Sequence, residues 1–200
     1  MKETKLLTAI LFSAYFATLE CNLNFAPPYY GIRKFLKTPV PIWTFNTTKG
    51  KVAKARCEVD LLLTISKTHI IYHHLFYEKL QKRNIRMLGT FDPRNKDRIF
   101  VQAKGSVYNI THEMLYLNWR YKCAVFKVTT PCYGMCSWHE VRVWNFSIAL
   151  NNADDCIRKF KKLERFGRGV YDDDCQNIVH KSAQLPLLTL SSPKQERKKL

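Results

Sequence analysis

Residues 113–144 read EMLYLNWRYKCAVFKVTTPCYGMCSWHEVRVW, and the alternation inside them sets the fold class. Leu115, Leu117, Trp119, Tyr121, Cys123 and Val125 alternate with Met114, Tyr116, Asn118, Arg120 and Lys122, the period-two pattern of a strand with distinct faces. The pattern predicts one strand over Glu113–Thr129. Pro131-Cys-Tyr-Gly-Met-Cys136 supplies a turn, and Ser137–Ile148 a second strand, so the stretch is expected to form an antiparallel hairpin. Cys123 sits inside the apolar strand and Cys132 and Cys136 flank the turn. Such a chain is stapled as well as packed.

Working outward, Pro27, Pro28, Pro39 and Pro41 rule out a long regular element over residues 22–42 and leave room for a short helix around Tyr30–Leu36. Strands begin near Trp43. Val59, Leu61, Leu63 and Ile65 share one face, with Glu58, Asp60, Leu62 and Thr64 on the other. Further strands are expected over His69–Tyr77, Arg86–Thr90, Asp97–Lys104 and Ser106–Thr111, punctuated by Asp92-Pro-Arg-Asn95 and Gly105. After the hairpin the period lengthens. Asp154 or Asp155 can cap a helix carrying Ile157, Phe160, Leu163 and Phe166, stopped by Gly167 and Gly169. Val170–Asp172 is expected as a last short strand. Many antiparallel strands followed by one late helix predict an all-β fold: a closed barrel of about eight strands, with the helix outside and room for one small ligand within.

The N-terminus indicates the compartment. Lys2 and Lys5 precede an apolar run from Leu6 to Leu19, the pattern of a signal peptide over residues 1–21 and too short for a membrane span. A barrel domain is expected over 22–180 and a basic, disordered tail over 181–200. Loss of Cys21 leaves six of the seven cysteines, Cys57, Cys123, Cys132, Cys136, Cys156 and Cys175, an even number suited to disulfides in an oxidising compartment. The sequons at Asn46, Asn109 and Asn145 agree with secretion. The net charge of +17, concentrated in Arg158–Arg168 and Lys194–Lys199, points to acidic partners such as sulfated glycans. A host protein is the other macromolecular partner considered; no nucleic-acid partner is expected, and the chain is expected to be a monomer. No Gly-x-Ser-x-Gly, phosphate loop or His-Glu-x-x-His motif is present, so no catalysis, cofactor or metal is expected. His69, His73 and His74 read as structural residues, and Asp172-Asp-Asp174 as an exposed acidic turn.

The chain resembles a known family. Lys34-Phe-Leu-Lys-Thr38, Pro41-Ile-Trp-Thr-Phe-Asn-Thr-Thr48 and Cys57-Glu-Val-Asp60 resemble the N-terminal half of tick salivary lipocalins. Cys123-Ala-Val-Phe126, Glu140-Val-Arg-Val-Trp144, Cys156-x-x-x-Phe160 and Val170-Tyr171-x-x-x-Cys175 are similar to the C-terminal half. The resemblance is to the histamine-binding group, secreted in saliva to sequester host mediators. It implies the pairs Cys57–Cys175 and Cys123–Cys156, which leaves Cys132 with Cys136; sequence alone permits fifteen connectivities.

For a biogenic amine such as histamine or serotonin, the resemblance puts an acid at Glu140, with Trp138 and Trp144 on the same strand face. Trp43, Trp119 and Tyr116 complete the candidate aromatic lining. Two departures keep a second ligand class open: Cys136 is followed by Ser137 rather than an acid, and Glu140 by Val141-Arg142. An anionic lipid mediator (a leukotriene, thromboxane or fatty acid) would instead need an apolar cavity and one base, for which Arg120, Arg142 or Lys122 are candidates.

Overall fold

A computed structural model describes residues 31–50, 55–132, 134–149 and 153–180. The expected signal peptide (1–21) and tail (181–200) lie outside the described residues.

Eight strands close on themselves: β1 (Ile42–Thr47), β2 (Arg56–Ile65), β3 (His69–Glu78), β4 (Gln81–Phe91), β5 (Arg98–Ala103), β6 (Ile110–Asn118), β7 (Cys123–Cys132) and β8 (Gly134–Trp144). Each pairs antiparallel with the next, and β1 joins β8 to β2, so the barrel has no free edge. A two-residue β9 (Arg168–Gly169) adds to β1. Helix α1 (Ile32–Leu36) plugs one end. Phe35 is fully buried, with its ring 5.7 Å from Phe126 and 6.1 Å from Trp144, and Trp144 Nε1 donates to the Phe35 carbonyl at 3.1 Å. Gly89 faces the interior where a Cβ would meet Ile99 Cδ1 at 2.5 Å and Ile70 Cγ2 at 2.7 Å, so only glycine lets those side chains fill the plugged end.

Three helices follow the barrel: α2 (Asn145–Ala149), α3 (Asp154–Leu163) and α4 (Gln176–His180). Cys156 and Phe160 of α3 pack on Cys123, Val125, Val141 and Val143, the outward residues of β7 and β8. Ile178 of α4 joins Trp43, Val59 and Leu75 in a separate outer cluster. Three disulfides fasten these covers and the hairpin tip: Cys57–Cys175, Cys123–Cys156 and Cys132–Cys136.

Several element boundaries differ from expectation. Glu113–Thr129 is two strands, not one, because the chain reverses at residues 119–122, with Lys122 at φ 49°. Trp119 and Tyr121 continue the apolar alternation through that turn and hide it. Residues 106–109 are loop, and β6 starts at Ile110. The strand predicted to Ile148 stops at Trp144 and gives way to α2. Helix α3 ends at Leu163 rather than Phe166, and Ala153, not an aspartate, occupies its N-cap. Asp154 and Asp155 lie in its first turn, where they complement the helix dipole. The last short strand is Arg168–Gly169, not Val170–Asp172.

Sequence separation ranks the staples. The closed loops span 118, 33 and 4 residues, which in the chain-entropy account correspond to about 5, 4 and 2 kcal/mol. Pairwise Cys→Ala replacement followed by urea unfolding is expected to destabilise in the order Cys57/Cys175, Cys123/Cys156, Cys132/Cys136. A Cys132/Cys136 variant that loses the most would contradict this.

Candidate functional site

Strand β8 sends Trp138, Glu140, Arg142 and Trp144 inward, and β2 sends Glu58, Asp60 and Leu62. A charged bar therefore crosses the barrel. The Arg142 guanidinium donates to Glu140 Oε2 from Nε (2.9 Å) and Nη2 (2.7 Å), and Nη1 lies 3.5 Å from Asp60 Oδ2. Its carbon lies 4.7 Å from the centre of the Phe126 ring. Only 7% of the Arg142 side chain is exposed, so the pairing is what permits its burial. Arg142 Nη2 is also 3.2 Å from His112 Nδ1. Because arginine only donates, that nitrogen accepts and His112 is neutral. Burial and the guanidinium lower the His112 pKa to about 3. Burial alone would raise Glu140, but Arg142 together with the Trp138 indole N–H (2.6 Å to Oε1) holds it at about 2.

The bar divides the interior. Toward α1 the space is apolar and almost filled by Leu36, Ile42, Leu62, Ile70, Ile99 and Val101, with about 20 Å³ left. Toward the other end lies a cavity of about 220 Å³ walled by Glu58, Tyr72, His74, Phe76, Trp138 and Glu140, with Lys49 at its rim. Glu58 is 3% exposed, and its Oε1 has no hydrogen-bond partner. Burial and the nearby Glu140 charge raise its pKa. His74 Nδ1 lies 2.7 Å from Asp60 Oδ1, while its Nε2 faces Glu58 Oε2 at 3.9 Å. Burial lowers the pKa of His74, but the Asp60 hydrogen bond and the two carboxylate charges outweigh it and leave it raised. Tyr72 stays a neutral phenol, pushed well up by burial and the Asp60 charge. A wider cleft of about 930 Å³ lies outside the barrel near Phe45, Ile157 and Tyr171, but none of the buried charged groups line it.

Of the residues singled out from sequence, Glu140 and Trp138 meet at this cavity. Trp144 also faces inward but sits at the plugged end, with Trp119 edge-on at 5.7 Å. The Trp119 ring is covered in turn by Lys122 Nζ at 3.6 Å. Trp43 is fully buried outside the barrel, its indole donating to Asn145 Oδ1 at 2.7 Å. Tyr116 faces α3 and donates to Asp155. Arg120 lies in the β6–β7 turn, over Tyr121. Among the sequons, Asn109 is exposed and Asn46 half-buried on β1; Asn145 uses its Oδ1 for Trp43 and Gln176, and its partner Ser147 is buried. Sequence reasoning missed Glu58, Asp60, Tyr72, His74 and His112 as cavity residues. The available signal was that Glu58, Asp60 and Leu62 fall on one strand face.

No protein-family model matches the sequence, and no curated protein does. Solved structures do match. A protein called AM182, solved in complex with serotonin, superposes with a TM-score of 0.55 at 20% identity, over 73% of this chain and 92% of that one. Apocrustacyanin C2 and lobster apocrustacyanin A1 each give 0.52 at 7% identity, over 72% of this chain and 82% of theirs. The barrel has the lipocalin fold. At these identities the likeness carries the fold alone, and the lipocalin interior must be read from its own residues.

The interior titrates with a definite sign. His112 and Glu140 have lowered pKa values, about 3 and about 2. Their stabilising contributions are complete above the ordinary values of 6.5 and 4.5 and are lost as pH falls toward the folded ones. Glu58 and His74 are raised and act oppositely, contributing at low pH and losing that contribution as pH rises through their folded values. His112→Asn, which keeps an acceptor for Arg142, is expected to flatten the acid loss of stability beginning near pH 6.5. Urea midpoints measured against pH check this, and an unchanged slope between pH 6.5 and 4.5 would count against it.

Proposed function

We propose that this protein is a secreted lipocalin that sequesters a small cationic host mediator, a biogenic amine such as histamine or serotonin, in the polar cavity. The carrying observation is the charge inside the barrel. Glu58, Asp60 and Glu140 outnumber the permanent cations that line the cavity, Arg142 and, over the Trp138 ring, Lys49, and one oxygen of Glu58 is buried without a partner. An ammonium group at Glu58 Oε1 satisfies that oxygen and reverses the burial that raises its pKa. The tautomer that gives its Nδ1–H to Asp60 leaves His74 Nε2 free to accept a second N–H or a hydroxyl. Trp138, Phe76 and Tyr72 provide aromatic walls. Glu140, already held by Arg142 and Trp138, sets the field and positions the site rather than contacting the amine.

The anionic-lipid reading fits less well. Arg142, the interior base, is already paired with two carboxylates. The cavity of about 220 Å³ is small beside the 300 Å³ or more of drug-sized ligand sites. The serotonin complex of AM182, a protein of the same fold, supports the amine reading, as does the sequence resemblance to the tick histamine-binding group.

Calorimetry against histamine, serotonin and a leukotriene tests the proposal. Amines are expected to bind and the leukotriene to give no heat. Because an ammonium beside Glu58 and His74 lowers their raised pKa values, binding should release protons, and the heat near neutral pH should vary with the ionisation enthalpy of the buffer. Glu58→Gln should weaken binding about tenfold or more, the worth of a charge-assisted hydrogen bond. Leukotriene binding with no amine binding would overturn the reading.

A further inference from the structure

We propose that the open end of the barrel docks on an anionic lipid surface. Strand order places the β3–β4 turn, the β5–β6 loop, the β7–β8 turn and the last residue of β1 at the end opposite α1. Four large apolar side chains project there: Leu80 (90% exposed), Val107 (81%), Tyr108 (65%) and Met135 (71%). They come from three separate turns around the cavity mouth.

Leu80 is the sharpest case. It occupies the left-handed region at φ 65°, next to Lys79 at φ 48°, where a tight hairpin turn favours asparagine or glycine. A leucine there bears backbone strain and gains no packing in return, a combination associated with binding surfaces. Charge specifies the partner. The same loops carry the exposed Lys79 and Lys104, with Lys49 at the cavity rim and Lys82 and Arg83 just below the β3–β4 tip. Among the described residues the acids on this side include Glu78, paired with Arg83, Asp172, paired with Arg56, and the exposed Asp173 and Asp174. Lysines next to apolar tips can reach phosphate groups while the tips enter the headgroup boundary. A protein interface requires a continuous packed core, whereas separate tips ringing an opening suit a fluid bilayer surface. The proposal does not depend on what the cavity binds.

Sedimentation of the full-length secreted protein with vesicles tests this, comparing phosphatidylcholine alone with phosphatidylcholine plus phosphatidylserine. Binding is expected only to the anionic vesicles and should weaken with salt. Lys79→Gln with Lys104→Gln should reduce it roughly tenfold or more. Leu80→Asn suits the left-handed backbone better, so it should keep or raise the thermal midpoint while lowering vesicle binding, which separates docking from folding. Leu63→Ser, at a half-exposed site (50%) on β2 toward the α1 end of the barrel, should bind as wild type. Equal binding to neutral vesicles, no binding, or insensitivity to the rim substitutions would overturn the proposal. So would a concentration-dependent dimer in sedimentation velocity that Leu80→Asn abolishes, since the rim would then serve a second copy.

Discussion

A guanidinium in the middle of a barrel is tolerable only if its charge is met on the spot. Arg142 is met by Glu140 two residues away on its own strand and by Asp60 on β2, with the Phe126 ring against its face. β1 lies between β8 and β2, with Trp144 and Asp60 both opposite Ile42. A one-residue slip of β2 would take Asp60 away from Arg142, and one of β8 would turn Arg142 and Glu140 outward together and leave Asp60 without its guanidinium, a loss of up to roughly 3–5 kcal/mol. The pair thus fixes the register at the seam where the barrel closes. It also partitions the interior, since the space toward α1 packs as hydrocarbon while the cavity toward the mouth sets Glu58, His74 and Glu140 among apolar and aromatic walls.

The outer covers follow from the same closure. Once β2 and β8 turn Glu58, Asp60, Glu140 and Arg142 inward, the outward residues on this side of the barrel are Trp43, Val59, Val125, Val141 and Val143, too apolar to face water. Helices α3 and α4 bury them, and the two long-range disulfides hold those helices in place. Where the barrel carries its charged residues inside, it therefore needs apolar packing on its outside.

This inversion marks the limit of what the sequence disclosed. The barrel class, the β7–β8 hairpin and the late helix could be read from alternation and a change of period, because those patterns are local. The face of β2 could not be assigned in the same way. Alternation put Val59, Leu61, Leu63 and Ile65 on one face without saying which way it points; Val59 packs against α4 and Leu63 is half exposed, while Glu58 and Asp60 enter the cavity. Periodicity separates two faces but does not say which is inside when both are covered. For the same reason Trp43 read as cavity lining and lies instead beneath the C-terminal segment. Glu140 was named through the family resemblance, on a strand whose alternation was local and readable. Glu58, His74 and His112 come from β2, β3 and β6, and only barrel closure brings them together.

The charge balance left by Arg142 then constrains what the cavity can hold. Arg142 offsets one of three interior carboxylates. Asp60 has His74 as a second partner, and Glu140 has Trp138, so Glu58 is the acid whose needs the protein does not meet internally. In the empty cavity uptake of a proton is the least costly remedy: burial and the Glu140 charge raise the Glu58 pKa, and the Asp60 hydrogen bond with the two carboxylate charges raises that of His74. A small cation provides the same remedy with additional contacts to aromatic walls, whereas an anion would add a fourth negative charge beside an arginine already committed. The preference for positive ligands thus follows from the unequal sharing of one buried guanidinium. The protein's surface charge of opposite sign scarcely alters it, because those charges are screened over about 8 Å of salt solution while Glu58 would act at contact.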